Sequence, residues 1–170
     1  MENFNVVLVQ PEIPQNTGNI GRLCVGTGCK LHLVKPLGFD LDEKKVRRAG
    51  LDYWPHLDLT LHDTWDPALE RSFFFSKKAT RSVFDLNFKQ GDHLVFGCET
   101  QGLPEEWLDK YPERAVSLPH FGPVRSQNLS NAVSAVKGPT SAASSGFLSV
   151  MRGATIEAVE ALSAIATAAS

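Results

Sequence analysis

Residues 118–136 read LPHFGPVRSQNLSNAVSAV: a loop bounded by proline and glycine, a cluster of small polar residues, then an apolar, alanine-rich run. A loop of this kind entering a helix start presents free backbone N–H groups, which suit a polar ligand. Ser126, Asn128 and Ser130 are all good N-cap types, and Leu129, Val133 and Val136 recur at helical spacing. Alone, the stretch is equally a capped helix with nothing bound. Two further glycine-containing polar loops that follow strand-like runs shift the balance towards a ligand site.

Working outward, short apolar runs alternate with helical patterns. Strands are expected at 5–9 (NVVLV), 31–34, 57–61, 72–75, 93–97 and 115–118. Asn16 or Thr17 caps a helix running to about Thr27, with Ile20, Leu23 and Cys24 as its apolar stripe and Gly28 as its stop. The segment 42–49 (DEKKVRRA) reads as a helix with its acids first and bases last, matching the macrodipole. Short helices are also expected at 65–71 and, with Pro104 in the first turn, at 104–110. This alternation means an α/β domain: a mostly parallel sheet with flanking helices. Ligands in such sheets bind beyond the carboxyl ends of the strands, where 75–78, 97–102 and 118–128 fall. No G-x-G-x-x-G follows the first strand, and GTGCK at 26–30 lacks the P-loop spacing, which disfavours a dinucleotide or ATP site.

With 42% hydrophobic and 21% charged residues, the 170-residue chain has the make-up of one soluble domain with a real core. Its formal net charge of -2 leaves any nucleic-acid contact to local basic patches. Candidates are Lys44, Lys45, Arg47 and Arg48, and separately Lys77, Lys78 and Arg81, although a solvated helix face explains the first group equally well. Cys24, Cys29 and Cys98 lack metal-type spacing and read as reduced thiols of a cytoplasmic protein. His56, His62, His93 and His120 show no metal-type clustering, and His32 reads as a sheet residue. No run is long enough to span a membrane, and the N-terminus has no signal-peptide pattern.

Four motifs in collinear order, PEIPQNTGNIGRLC, RRAGLDYW, FGCETQGLP and GPVRSQNLSNAVS, resemble the SPOUT class of RNA methyltransferases. They resemble in particular its small members that methylate the ribose 2′-hydroxyl of the wobble cytidine or uridine, position 34, of tRNA. The resemblance spans about residues 5–136 and implies a C-terminal trefoil knot whose loops bind S-adenosylmethionine. It places cofactor contacts at Phe75, Gly97, Leu118 and Ser126, with Glu99 and Gly102 shaping the second loop. It also implies a homodimer that recognises the tRNA anticodon stem-loop, with Arg22 of one protomer reaching its partner's site.

Methyl transfer from a sulfonium needs no metal; it needs an in-line approach and an oriented hydroxyl. Arg22 closes an N-x-x-N-x-x-R pattern with Asn16 and Asn19, and the resemblance gives this arginine a role at the target ribose and phosphate. A guanidinium hardly loses its proton, so orienting the hydroxyl and clamping the phosphate is the role expected of it. The bland alternative is a surface arginine paired with Glu12 or another acid. Asn16 and Arg125 join Arg22 as catalytic candidates, and Asn128 and Lys77 are candidate contacts to the RNA, Arg125 and Asn128 either reaching its backbone or ordering the site.

After Val136 the resemblance stops. Lys137, Gly138 and Pro139 are helix-breaking where the family continues its last helix, which makes residues 137–170 an atypical tail. Codons exist for 139–149 that, read one base later, spell Leu-Arg-Ala-Leu-Arg-Gln-Val-Gly-Phe-stop, an ending of the family's type. The expectation is therefore a domain at 1–136 followed by a possible frameshifted extension. A relative that binds RNA or a nucleotide without methylating it is the alternative function.

Overall fold

The computed structural model describes residues 3–41, 52–118 and 127–136, all within the compact unit Met1–Val136. Strand β1 (Asn5–Val9) lies in the middle of a sheet, with Val6, Val7 and Leu8 wholly buried. Burial on both faces explains why this run is continuously apolar rather than alternating. The other strands are β2 (Lys30–Val34), β3 (Leu59–His62), β4 (Ser72–Phe75), β5 (His93–Phe96) and β6 (Ala115–Val116). Among the described residues they form one sheet in the order β3-β2-β1-β5-β4-β6, and every pairing is parallel. The edge strand β3 explains the alternating leucines: Leu57 and Leu59 pack on the core, while Leu61 is 47% exposed.

One face of the sheet, with Val6, Leu8, Leu31, Leu33, Leu94 and Phe96, packs against α1 (Pro14–Thr27) and α3 (Leu129–Val136) through Ile20, Cys24, Val133 and Val136. The other face, with Val7, Val9, Val34, Phe74 and Val95, is covered by Trp65 and by Trp107, Leu108 and Tyr111 in and after α2 (Glu105–Lys110). Each such fully buried side chain contributes roughly 1.5–3 kcal/mol relative to exposure.

Two expected elements differ. Helix α1 starts at Pro14 rather than after Asn16 or Thr17, and those two residues are turned inward, at 4% and 1% exposure. Proline at the first helical position gives up no hydrogen bond. The free N–H groups are met from another loop, as described below. Its other end follows expectation: Gly28 sits at φ 66°, its N–H reaches Val25 O, and Cys29 N–H bonds Cys24 O at 2.9 Å. Residues 65–71 form turns instead of a helix. Asp66 Oδ1 accepts from Ala68 N–H, Arg114 Nη1 donates to the carbonyls of Pro67, Ala68 and Leu69, and Trp65 is drawn into the core. The expected helix at 42–49 lies outside the described residues. Cys24, Cys29 and Cys98 form no disulfide.

Strand pairing also assembles a histidine cluster that linear spacing conceals. His32 Nδ1 lies 2.9 Å from His62 Nε2, and His32 Nε2 lies 3.2 Å from Asn5 Oδ1. Because Asn5 Nδ2 donates to Gly91 O, its Oδ1 must accept. His32 therefore carries its proton on Nε2, and Nδ1 accepts from His62. Trp65 packs on this group, with ring centroids 5.2 Å from His62 and 5.6 Å from His93. No group of three or more candidate ligands among the described residues could hold a metal.

Burial first, and the neighbouring imidazoles second, hold the His32 pKa down to about 4, and burial lowers that of His93. In the unfolded chain His32 protonates near 6.5, so folding favours the neutral form and its contribution is lost as pH falls from 6.5 to about 4. The urea midpoint should therefore drop across that window, and His32→Gln should flatten the drop. An unchanged slope in the variant would contradict this assignment.

Candidate active site

The carboxyl ends of β5, β4 and β6 lie side by side. Phe75 is in register with Phe96 on one side and Val116 on the other, so the chain leaves the sheet at Ser76, Gly97 and Ser117 from adjacent positions. The first and third loops are stitched together: Ser76 N–H donates to Val116 O at 2.9 Å, Val83 N–H to Ser117 O at 2.8 Å, and Ser117 N–H to Arg81 O at 2.8 Å. Phe75 stacks on Phe96 with centroids 4.5 Å apart, and Leu118 packs at the margin of the same core. Three of the expected cofactor residues, Phe75, Gly97 and Leu118, thus stand at or just beyond three neighbouring strand ends. Ser126 and Arg125 lie outside the described residues.

The second loop, 97–103, doubles back on itself. A Cβ on Gly97 would stand 2.0 Å from Gly102 C and 2.1 Å from Leu103 N, so main chain crosses where any side chain would be. Gly102 N–H bonds Cys98 O at 3.0 Å, and Gly102 has φ 80°, a conformation that glycine adopts freely. One glycine is required by space and the other by backbone angle.

Glu99, on this loop, closes the start of α1. Its carboxylate accepts from Glu12 N–H at 2.8 Å, from Ile13 N–H at 3.3 Å and from Asn16 Nδ2 at 2.9 Å. An anion at a helix N-terminus meets unpaired donors and the positive end of the dipole. Glu12 returns the contact, accepting from Thr100 N–H at 3.0 Å and Thr100 Oγ1 at 2.8 Å. Asn16 Oδ1 in turn accepts from Asn128 Nδ2 at 2.9 Å. Asn128 Oδ1 then caps α3, accepting from Ser130 N–H at 2.9 Å, Ser130 Oγ at 2.7 Å and Asn131 N–H at 3.4 Å. Glu99, Asn16 and Asn128 form one polar chain joining the loops after β1 and β5 to the entry of α3. Asn16 and Asn128, expected to act at catalysis and on the RNA, here hold the loops together.

Arg22 points away from this chain and is 67% exposed at its side chain. Its Nη2 lies 3.7 Å from Asp52 Oδ1, and its guanidinium sits over the Tyr53 ring, 4.9 Å from the centroid. Glu12 is used by Thr100, and the pairing of a surface arginine with another acid, the alternative considered from sequence, is met by Asp52. Lys77 is exposed on the turn after β4, while Lys78 pairs with Glu105 and Arg81 Nη1 donates to Glu113 O at 3.0 Å. Lys78, Thr80, Glu105, Leu108 and Asp109 also line a cavity of about 310 Å³ beside α2. Lys44, Lys45, Arg47 and Arg48 lie outside the described residues. Sequence reasoning missed Asp52 and Tyr53 as neighbours of Arg22, although both stand in the RRAGLDYW motif. Spacing along the chain gives no partner across it.

Residues 3–137 match the profile of the SpoU rRNA Methylase family. A tRNA (cytidine(34)-2′-O)-methyltransferase of Burkholderia ambifaria is 48% identical over 141 residues, covering 78% of this chain and 90% of the relative. A solved structure described as giving structural insights into the 2-OH methylation of C/U34 on tRNA superposes with a TM-score of 0.72 at 47% identity, covering 79% of this chain and 91% of the other. A SpoU methyltransferase of Streptomyces viridochromogenes in complex with the cofactor AdoMet has a TM-score of 0.63 at 26% identity, covering 80% and 56%.

The glycine geometry is directly testable. Gly97→Ala should destabilise the fold by about 3 kcal/mol or more, the upper range of overpacking, because backbone must move to admit the methyl group. Gly26→Ala, on an open helical face with nothing within 4 Å, should instead stabilise by about 0.5–1 kcal/mol. Denaturant melts of both variants check this pair, and equal effects would refute the loop geometry.

Proposed function

This chain belongs to the SpoU rRNA Methylase family, and from that premise we propose that it transfers the methyl group of S-adenosylmethionine to the ribose 2′-hydroxyl of tRNA nucleotide 34, cytidine or uridine. The observation that carries this reading is the register of β5, β4 and β6, which gathers three loops at one end of the sheet. The residues there fit the cofactor. Phe75 and Leu118 offer apolar walls to an adenine, and Gly97, without a Cβ, lets the second loop fold back on itself so that its backbone groups stay beside those walls. When bound, the cofactor supplies an electrophilic methyl group on a sulfonium.

The chain's own residues hold and orient. Backbone groups at Phe75, Gly97, Leu118 and Ser126 bind the cofactor, and Glu99 and Gly102 fix the shape of the second loop. A guanidinium is a donor with no acceptor site, so Arg22 orients the 2′-hydroxyl and clamps the adjacent phosphate rather than taking a proton. Asn16 keeps α1, and with it Arg22, in register with the cofactor loops. Arg125 and Lys77 contact the RNA backbone, while Asn128, its amide engaged by Asn16 and by the start of α3, orders the site instead. A homodimer in which Arg22 serves the partner's site, an anticodon stem-loop as the docked element and a cytoplasmic location complete the proposal. So do a C-terminal knot, a functional unit ending near Val136 and a separate tail after it.

The test is mass spectrometry of tRNA from cells with and without the gene, paired with purified protein, S-adenosylmethionine and unmodified tRNA. Ribose methylation at nucleotide 34 should depend on both gene and protein, and Arg22→Ala should lower kcat by at least about 100-fold, as for loss of a charged transition-state contact. Binding of S-adenosylmethionine and tRNA without methylation would establish the non-methylating alternative instead.

A further inference from the structure

Tyr53 is 8% exposed, yet its ring is the surface over which the guanidinium of Arg22 is held. It lies against α1 beside two glycines. The Tyr53 hydroxyl donates to Gly18 O at 2.5 Å, and a Cβ on Gly18 would stand 3.5 Å from that hydroxyl. A Cβ on Gly21 would come within 3.2 Å of Leu57 Cδ2 and 3.5 Å of both Tyr53 Cε2 and Trp54 Cζ3. The segment carrying Tyr53 therefore lies against the helix at about van der Waals distance, and the hydroxyl bond to Gly18 O fixes where its ring sits. Arg22 is one helical turn beyond Gly18 on the same side, so anchoring the hydroxyl at Gly18 brings the ring under the guanidinium.

We propose that Tyr53 is a positioning residue for methyl transfer, holding the Arg22 guanidinium over its ring so that the arginine meets the target ribose and phosphate already oriented. This rests on the role given above to Arg22. An arginine on an exposed helix face otherwise loses much rotamer freedom when it orders on substrate, and an aromatic face attracts the cation beforehand. Asp52 is the second contact. Its carboxylate is 88% exposed and 3.7 Å away, a loose pair that leaves the donors for a phosphate to take over on binding. Orientation achieved before binding appears in kcat rather than in cofactor affinity.

Steady-state kinetics on unmodified tRNA test this in the full-length protein. Tyr53→Phe keeps the ring and should retain kcat within about threefold, whereas Tyr53→Leu should lower kcat about tenfold with KM for S-adenosylmethionine unchanged. In an Arg22→Lys background, Tyr53→Leu should cost less than about twofold more, because the two residues act as a unit. A Tyr53→Leu variant as active as Tyr53→Phe, or losses that multiply in the double variant, would overturn the proposal.

A second measurement does not depend on Tyr53→Leu folding or on the reaction. The Arg22 Nε–H and Cδ–H resonances of the wild-type protein should be shifted upfield by the ring current, and resonances at free-arginine positions would equally overturn the proposal. Absent methyl transfer by wild-type protein together with a clear ring-current shift would locate the failure in the proposed reaction rather than in the Tyr53–Arg22 contact.

Discussion

A carboxylate on the loop after β5 does the work that a local cap would do for α1. Glu99 takes the N–H groups of Glu12 and Ile13 and the side-chain amide of Asn16, and Asn16 passes the connection to Asn128 at the head of α3. The helix that carries Arg22 therefore cannot be placed independently of the loop shaped by Gly97 and Gly102. The amide orientations are fixed along the way, since each acceptor oxygen meets a donor and each amide nitrogen an acceptor. A substitution anywhere along this chain leaves a donor or acceptor without its partner, and at Asn16 that group is buried.

The sheet supplies the second constraint. Parallel pairing without offsets between β5, β4 and β6 delivers three loop starts to one edge, and the stitching of residues 76–83 to 116–117 keeps the first and third together. The cores on the two faces divide the labour. Helices α1 and α3 pack on the face where the polar chain runs, while α2 and the Trp65 region close the other. Arg71 and the fully buried Asp92 anchor the opposite end of β4 and β5, where a paired carboxylate is tolerated inside the fold.

Much of this was legible in the amino-acid order. Short apolar runs identified β1, β2, β4 and β5, Gly28 ended α1, and three polar loops do leave neighbouring strand ends. What escaped is non-local in each case. The start of α1 was misplaced because its capping group, Glu99, lies 87 residues from Glu12. The helix expected at 65–71 gave way to turns because Arg114 claims the carbonyls that a helix would have used. His32, His62 and His93 belong to three different strands or strand ends, so only pairing brings them together. Tyr53 reaches Arg22 through a hydrogen bond to Gly18, 35 residues away along the chain.

Glu99, Asn16 and Asn128 behave as one unit, and a double-mutant cycle on folding stability between Glu99→Gln and Asn128→Ala measures this most directly. Both residues bond Asn16 from different segments, so the account predicts a coupling of about 1 kcal/mol, with the double variant less destabilised than the sum of the singles. Effects that add to within about 0.3–0.5 kcal/mol would mean that the two contacts are independent, and would contradict the proposal that this polar chain sets the site.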